Sequence, residues 1–567
     1  MRERRISDDL ADAFVAQGVD TLFGLFGDGN LTFMQAMTDR SGVRVVHVRH
    51  EAAAVFMASG YARVTGRPGF ASVTAGPGLA HTLTPLVSAC RARLPLILYA
   101  GDTAHTGPYR GGLQEFDHAA FAAQAGALYL RADGSRSVGA CVEEAVRSAV
   151  DRQIPVLFGV PEDYMEAAGS AIGVSSGADP RRPGPAALRA HLAELADVEP
   201  AVSADRAAER IGEALAAAVS PMLVAGSGAV AAGVLPQMRE LARRFGATLA
   251  TTFRAKGCFD DDPASVGIIG PLAHASHQAV QERADLIVGV GANLHGFGAF
   301  TDSLLGGKTL CLGTERYGGT PNVHPQDCGV DASLPATLSR LCDQVIAGDA
   351  RPGRAPQVDT KSAAIESDLR EFPEVHETGL LDPRRLMLEL DDMLSDDCIV
   401  VVGGGHFWSS PLLYLSKRRR DFVFPLEFGS IGMALPTGIG VAASGGRREV
   451  VVIEGDGGVA SAIQEIETAA RHRLRLTVVV MNDGALGAEY HKLVARTLPP
   501  EESAYEYVKF DEVARAFGAR GVSVRSTAEI AAAYSMEGHP QTVNVIDARI
   551  SRSVTSRWYR RLYLKTL

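Results

Sequence analysis

Cysteine is scarce in this sequence: its 567 residues include seven cysteines, and no two of them form a Cys-x-x-Cys pair. Without paired or regularly spaced cysteines, the sequence predicts neither a disulfide framework nor a structural zinc site. Scattered thiols are typical of a protein that folds in a reducing compartment, so we expect a cytoplasmic protein. The seven are Cys90, Cys141, Cys258, Cys311, Cys328, Cys342 and Cys398.

Long apolar runs and a basic body are also missing. No segment approaches the roughly 18 apolar residues of a membrane span, and the first residues, MRERRISDDLADAF, lack the apolar core of a secretory signal. The formal net charge of −10 offers no basic face to nucleic-acid phosphates. We therefore expect neither a membrane nor a nucleic acid as a partner. The one basic stretch is the C-terminal SRSVTSRWYRRLYLKTL.

Short apolar runs, by contrast, are frequent and alternate with Ala-rich segments of helical period; examples are VRVVHV, LPLILYA, PMLVAG, DLIVGVG and EVVVIEGDG. This alternation predicts buried parallel strands joined by crossover helices, an α/β fold. Polar stretches rich in Pro and Gly interrupt it twice. The length and these interruptions predict three Rossmann-like domains, at 1–180, 195–345 and 375–567.

The segment EGDGGVASAIQEIETAARHRLRLTVVVMNDGALG carries the clearest chemistry. It predicts a strand ending at Gly455, a helix of about 15 residues, and a second strand ending at Asn482. Because a right-handed crossover brings both strand ends to one sheet edge, Asp456 and Asp483 can converge there. The glycines at this turn, Gly455, Gly457 and Gly458, leave backbone N–H groups to hold phosphate. Carboxylates beside a phosphate cradle favour Mg²⁺ holding a diphosphate.

This pattern resembles the diphosphate and Mg²⁺ signature of thiamin diphosphate (ThDP) enzymes, the superfamily of acetolactate synthase, pyruvate decarboxylase, oxalyl-CoA decarboxylase and 2-hydroxyacyl-CoA lyase. The resemblance implies that Asp456 and Asp483 supply side-chain oxygens to Mg²⁺ and that Ala485 supplies its carbonyl. The family more often has Asn where Asp483 stands. An added negative charge should tighten metal binding.

Other segments match the same superfamily. VRVVHVRHEAAAVFMASGYARVTGRPG supplies Glu51, which by resemblance would hydrogen-bond a ring nitrogen of the cofactor's aminopyrimidine and promote removal of the thiazolium proton. LEFGSIGMALPTGIGVAAS supplies Ile431 as the apolar wedge that bends the cofactor. IVVVGGGHFWSS supplies Gly405 and His406 at the diphosphate. Without the resemblance, Glu51 would be an exposed residue at a helix N-terminus, and Ile431 a core residue.

The resemblance covers nearly the whole chain, in the order pyrimidine-binding, central and diphosphate-binding domain. In relatives the central domain, here with PMLVAGSGAV and ADLIVGVGANL, binds FAD, a nucleotide such as ADP or CoA, or nothing. A lone GSGA is weak evidence for a ligand. The family also implies that Glu51 of one subunit meets the diphosphate site of another, so we expect a homodimer or homotetramer.

The residues that would determine which reaction is catalysed match different members of the superfamily. LFGLFGDGNL places Asp28, and ALGAEYHKL places Glu489, where pyruvate-type decarboxylases carry active-site acids. However, RGGLQEFDHAA has Gln114 in place of the His pair of those decarboxylases, and TAGPGLAH has His81 where relatives usually have Asn. The alternatives are a turn aspartate for Asp28 and a surface helix glutamate for Glu489.

Two enzymatic readings follow. In the preferred one, a 2-hydroxyacyl-CoA is cleaved with Glu489 taking the hydroxyl proton, and the basic tail meets CoA phosphates. In the other, favoured by Gln114, a 2-oxo acid is decarboxylated and the carbanion/enamine adds to a second carbonyl, as in acetolactate synthase. A third possibility is a non-catalytic ThDP-binding protein. The presence of Glu51 together with Asp456 and Asp483 argues against it. The tail residues are Arg557, Arg560, Arg561 and Lys565.

Overall fold

The computed structural model describes residues 4–104, 112–168, 204–292, 294, 308–312, 334–347, 358–371, 379–416, 421–537, 539 and 542–564. These residues form three α/β units, each with one parallel sheet. The predicted α/β fold with three parallel-sheet domains is therefore confirmed.

The first unit has a six-stranded sheet in the order β2-β1-β3-β4-β6-β5. Its strands are β1 Thr21–Gly24, β2 Arg44–His47, β3 Gly69–Val73, β4 Leu96–Asp102, β5 Leu128–Arg131 and β6 Pro155–Pro161. Its helices are α1 Ile6–Ala16, α2 Leu31–Thr38, α3 Glu51–Thr65, α4 Pro77–Ala80, α5 Leu83–Arg91, α6 His118–Ala125, α7 Val138–Arg152 and α8 Glu162–Met165.

The central unit has a five-stranded sheet in the order β11-β10-β7-β8-β9. Its strands are β7 Pro221–Ala225, β8 Thr248–Thr251, β9 Ser265–Ile268, β10 Leu286–Val290 and β11 Lys308–Leu312. Its helices are α9 Ala204–Ala217, α10 Ser227–Ala231, α11 Leu235–Phe245, α12 Ala275–Gln281, α13 Leu334–Ala347 and α14 Lys361–Glu371.

The third unit has six strands in the order β13-β12-β14-β15-β17-β16, which is the order of the first sheet repeated. Its strands are β12 Ile399–Val402, β13 Asp421–Val423, β14 Val450–Gly455, β15 Leu476–Asn482, β16 Arg520–Val524 and β17 Val543–Arg549. Its helices are α15 Pro383–Met393, α16 Ser409–Tyr414, α17 Ala434–Ala443, α18 Asp456–Ser461, α19 Glu465–Arg471, α20 Gly487–Ala495, α21 Phe510–Ala516, α22 Thr527–Tyr534 and α23 Arg557–Tyr559.

The first and third units share a core through helices α3 and α17, which pack without intervening side chains. A Cβ built on Gly60 would lie 2.1 Å from the Thr437 carbonyl oxygen, and one built on Gly440 would lie 1.9 Å from the Met57 carbonyl oxygen. Glycine at these positions therefore lets the two backbones touch. Buried apolar residues of both units form one continuous cluster around this contact.

One sequence prediction needs correction: the helix of about 15 residues after Gly455 is two short helices, α18 and α19. The chain leaves helical geometry at Ala462, with φ −132° and ψ 20°. The Ser461 hydroxyl donates a hydrogen bond to the Gly458 carbonyl, 2.9 Å away, and so competes with the backbone ladder.

Within the part of the chain that the structure describes, no helix is both long and apolar enough to cross a membrane.

Candidate active site

The two aspartates predicted to share a sheet edge do so. Strands β14 and β15 are neighbours, with Gly455 opposite Met481, so their carboxyl ends coincide. Asp456 opens α18 and accepts a hydrogen bond from the Gly484 N–H at 2.9 Å. Asp483 accepts one from the Ala485 N–H at 3.1 Å. The turn that follows β15 is therefore tied to the start of α18.

The positive charge of Arg552 acts on Asp483, but it does not outweigh the burial of this carboxylate pair. Burial raises the pKa of Asp456 to about 6. Burial and then the neighbouring charge of Asp456 raise the pKa of Asp483 to about 7. Asp483 Oδ2 is buried with no hydrogen-bond partner among the described residues. A divalent cation is the ligand that two such oxygens favour, so the pair fits a bound metal.

His406 and Gly405, predicted to lie at the diphosphate, stand beside this pair. His406 Nε2 is 3.6 Å from Asp483 Oδ2, and burial lowers the pKa of His406 to about 3, so the ring is neutral. Gly405 has φ 146°, which favours glycine. A Cβ on Gly487 would lie 2.4 Å from Asp483 Oδ2, so only glycine leaves this space open.

The predicted phosphate cradle is only partly available. The Gly457 N–H donates to Asp456 Oδ1 at 2.9 Å, and the Gly455 N–H donates to the buried carboxylate of Glu454. Two of the N–H groups expected to hold phosphate are thus bound within the protein. A Cβ built on Gly457 would lie 2.8 Å from Leu486 Cδ2, so glycine at this position leaves room for the Leu486 side chain.

Three residues that sequence reasoning missed complete this edge. Arg552 donates to the Asp483 carbonyl, at 3.0 Å from Nε and 2.6 Å from Nη2, and to the Gly484 carbonyl at 2.8 Å. The Tyr505 hydroxyl donates to Asp456. Glu454 accepts from the Ala434 N–H at 2.8 Å and so links β14 to α17. Of these, only Glu454 carried a signal, as an acid inside an apolar strand.

A cavity of about 500 Å³ opens beside the carboxylate pair. Ile431 lines it with 59% of its surface exposed, whereas an ordinary isoleucine of this fold would be buried. Glu489 also lines the cavity, with its carboxylate 3.3 Å from Lys492 Nζ. The predicted wedge and the predicted acid therefore share one cavity, and the surface ion pair considered for Glu489 is present as well.

Residues of the C-terminal segment form part of the cavity wall. Trp558 and Tyr559 are buried, and the Trp558 ring packs edge-on against Trp408 at 5.3 Å. Arg561 lies 3.4 Å from Glu282 of the central unit. This part of the tail packs against the protein; Lys565 lies outside the described residues.

The first unit gathers its predicted residues around Thr74, just after β3. The Thr74 hydroxyl accepts from the N–H of Gly29, which follows Asp28, at 3.1 Å. It donates to Gln114 Oε1 at 3.5 Å. On the other side of Thr74, a Cβ on Gly78 would lie 3.5 Å from Glu51 Oε1.

Glu51 is the first residue of α3, and its side chain is largely buried, with 14% of its surface exposed. Its Oε2 lies 3.0 Å from Nδ1 of His81. The structure thus brings Asp28, Glu51, His81 and Gln114 to one edge of the first sheet.

Within one chain this edge does not meet the carboxylate pair. Helices α3 and α17 run antiparallel, with Met57 at Gly440 and Gly60 at Thr437. Moving along α3 toward Glu51 therefore moves away from Ala434 and the cavity. With a rise of 1.5 Å per residue, Glu51 and Ala434 lie roughly 18 Å apart along the axis of the two packed helices, α3 and α17.

In the central unit, two N–H groups of the glycine turn after β7 donate hydrogen bonds to backbone carbonyls of the same unit. The Gly226 N–H donates to the Val290 carbonyl at 2.9 Å, and the Gly228 N–H donates to the Gly291 carbonyl at 3.0 Å. These donors are not available to a nucleotide phosphate. Binding of FAD, ADP or CoA in this unit stays a prediction.

Together, fold and site define a class: a three-domain α/β protein in which two sheets of the same topology each present an edge of titratable side chains. One edge suits a metal-bound diphosphate, and the other presents a carboxylate for hydrogen bonding.

Comparison with known proteins identifies the family. Residues 4–121, 208–304 and 402–545 match, respectively, the N-terminal TPP binding domain, the central domain and the C-terminal TPP binding domain of thiamine pyrophosphate enzymes. The chain therefore belongs to the thiamine pyrophosphate enzyme family, and it is an enzyme of carbon–carbon bond cleavage or ligation. This confirms the resemblance from sequence.

Curated relatives cover most of both chains. A protein named probable 2-ketoarginine decarboxylase, from Pseudomonas aeruginosa, is 30% identical over 88% of this chain and 86% of its own. An acetolactate synthase large subunit of Mycobacterium tuberculosis is 29% identical over 95% and 94%. A sulfoacetaldehyde acetyltransferase of Alcaligenes xylosoxydans is 26% identical over 91% and 88%.

Among solved structures, a Rhodococcus jostii thiamine diphosphate-dependent 4-hydroxybenzoylformate decarboxylase matches with a TM-score of 0.74. It is 21% identical, and the match covers 96% of this chain and 99% of that one. At this identity the likeness establishes the fold.

Proposed function

We propose that this protein is a ThDP- and Mg²⁺-dependent enzyme that breaks the carboxyl carbon–carbon bond of a 2-oxo acid. The product fragment then passes to a proton or to a second carbonyl compound. The observation that carries the proposal is the buried carboxylate pair Asp456 and Asp483, in which Asp483 Oδ2 has no hydrogen-bond partner among the described residues, beside a cavity that exposes Ile431.

Each residue then has a role. Asp456, Asp483 and the Ala485 carbonyl hold Mg²⁺, and Gly405, His406 and the glycines after Gly455 face the diphosphate. Ile431 supports the cofactor from the cavity floor, and Glu51 hydrogen-bonds its aminopyrimidine ring. Bound ThDP supplies a carbon nucleophile for the substrate carbonyl and an electron sink for the bond that breaks.

The packing of the tail supports a 2-oxo acid over a 2-hydroxyacyl-CoA as the substrate. The 2-hydroxyacyl-CoA reading gave the basic tail to CoA phosphates, but Trp558 and Tyr559 are buried in the wall of the cavity and Arg561 pairs with Glu282. A packed wall explains these residues without CoA. The names of two relatives, an acetolactate synthase and a 2-ketoarginine decarboxylase, support a 2-oxo acid.

In this proposal Glu489 lines the cavity in which the substrate carboxylate would leave as carbon dioxide. The product fragment would then take up its proton in the same cavity. Asp28 and Gln114 reach the substrate from the first-unit edge. The 2-hydroxyacyl-CoA lyase remains a second candidate, because Glu489 is equally placed to take a hydroxyl proton.

The separation of the two edges supports a homodimer. Since Glu51 lies roughly 18 Å along the helix pair from Ala434, the cavity of one chain needs Glu51 of a second chain. The exposed apolar residues near both edges fit such a contact; they are Phe26, Leu31, Phe116, Phe428, Ile431 and Leu486.

The test compares substrates directly. The protein is loaded with ThDP and Mg²⁺ and given a panel of 2-oxo acids and a panel of 2-hydroxyacyl-CoAs. We expect carbon dioxide from at least one 2-oxo acid and no formyl-CoA. Formyl-CoA without carbon dioxide would replace the proposal by the lyase. An Arg561→Ala variant is the control: it should keep its KM for 2-oxo acids.

A further inference from the structure

We propose that His81 is a positioning residue that holds the Glu51 carboxylate by one oxygen and leaves the other to face the cofactor ring. The inference rests on the proposed function, because it assigns to Glu51 the role of activating ThDP. It concerns a residue that departs from the usual family pattern, in which Asn stands at this position.

The geometry divides the two carboxylate oxygens. Oε2 of Glu51 lies 3.0 Å from His81 Nδ1. Oε1 lies on the Gly78 side, where a Cβ would be 3.5 Å away, so the glycine leaves that oxygen uncrowded. A carboxylate on a flexible side chain loses rotamer freedom when one oxygen is fixed, and the other oxygen is then oriented before the cofactor arrives.

A second histidine holds His81 in place. The rings of His50 and His81 stack, with centroids 4.9 Å apart and planes 25° from parallel. His50 is itself fixed, because its Nδ1 accepts the Ala52 N–H at 3.1 Å as the N-cap of α3. Neutral His50 therefore carries its proton on Nε2.

This tautomer also argues against the competing explanation, a metal site. His50, Glu51 and His81 offer ligand atoms within 4.8 Å of one another. A metal on His50 would have to use Nε2, which bears the proton while Nδ1 serves as the helix cap. Metal binding at Nε2 would move the proton of neutral His50 to Nδ1 and so break its hydrogen bond with the Ala52 N–H. The hydrogen bond from His81 to Glu51 leaves that helix cap intact.

The experiment compares His81→Ala and His81→Asn with the native enzyme, and His539→Asn serves as an exposed control. Two quantities are measured on each: the dissociation constant of ThDP with Mg²⁺, from tryptophan fluorescence, and the rate at which the bound cofactor exchanges its thiazolium proton for deuterium. Neither needs a known substrate. Melting temperatures check that each variant is folded.

We expect His81→Ala to slow exchange roughly 10-fold to 100-fold, the weight of a hydrogen bond to a charged group, with the dissociation constant changed by less than about 3-fold. His81→Asn should recover most of the rate, because its amide can donate to the same oxygen. A native exchange rate in His81→Ala would overturn the proposal, as would an equal loss in Asn and Ala variants.

Glu51→Gln separates this inference from the proposed function. If Glu51→Gln exchanges slowly and His81→Ala exchanges at the native rate, only the role of His81 is wrong. If Glu51→Gln also exchanges at the native rate, the role of Glu51 fails, and the inference about His81 fails with it.

Discussion

At the scale of single residues, the site is governed by buried carboxylates without enough positive charge. Asp483 stands where the family more often has Asn, and its Oδ2 is buried with no partner among the described residues. Arg552 is close, but it donates to the carbonyls of Asp483 and Gly484. The guanidinium thus shapes the turn and leaves the carboxylate oxygen to a cation.

The first prediction concerns this pair. Asp456→Ala should abolish stoichiometric retention of ThDP, because it removes a metal ligand and the acceptor of the Gly484 N–H. Asp483→Asn should retain ThDP but weaken Mg²⁺ binding roughly tenfold or more, since affinity follows the charge of the ligands. Titration calorimetry with Mg²⁺ and ThDP measures both. Full cofactor retention by Asp456→Ala would contradict the assignment.

Glu465 gives a second residue-scale prediction. It accepts the Arg49 N–H at 3.1 Å from the first unit and the Thr468 hydroxyl at 2.8 Å, and burial raises its pKa to about 7. The folded state therefore binds an extra proton below this value, so native stability falls as pH rises from about 4.5 to about 7.

Glu465→Gln should lack this dependence and gain up to about 3 kcal/mol over the native protein across that window. Melting temperatures at pH 5 and pH 8 measure the difference. Glu467→Gln is the matched control: hydrogen bonding to Arg49 lowers the pKa of Glu467, so its contribution is present above its ordinary pKa and lost in acid. Parallel pH curves for Glu465→Gln and native protein would contradict the prediction.

At the scale of elements, the contact of α3 with α17 connects the first and third units. Helix propensity alone would favour Ala over Gly at both contact positions. The structure argues the reverse, because a methyl group at Gly440 would overlap the Met57 carbonyl at 1.9 Å.

We therefore predict that Gly440→Ala destabilises the protein by about 2 kcal/mol or more, as overpacking does. Gly139→Ala in α7 is the control, because nothing lies within 4 Å of a Cβ built there; it should change stability by less than about 1 kcal/mol. Chemical denaturation compares them. Equal behaviour of the two variants would mean that the helices do not touch as described.

The elements also show what the sequence could predict. Apolar runs such as Leu476–Asn482 became fully buried strands, and the two aspartates met because parallel strands end at one edge. The break between α18 and α19 was missed because it depends on the Ser461 hydroxyl and on packing. The sequence also left open whether the tail binds an anion or packs against the protein, because its arginines suit either role; in the structure Trp558 and Tyr559 are buried in the cavity wall.

At the scale of the whole molecule, two sheets have identical strand order, and in the proposed function their edges supply the two halves of one site. Sequence could name Glu51 and Asp456 but not their separation, which is set by the antiparallel contact of α3 and α17. We therefore propose that each working site combines Glu51 of one chain with Asp456 and Asp483 of another.

The most direct test is a mixed dimer of one Glu51→Gln chain and one Asp456→Ala chain, isolated with two different affinity tags. Exchange of the thiazolium proton of bound ThDP reports on each site without a substrate. Both parent homodimers should fail in this assay. We predict that the mixed dimer recovers about half of the native exchange, because one of its two sites carries neither change. A mixed dimer as inactive as its parents would show that Glu51 and Asp456 act within one chain, and would contradict the account.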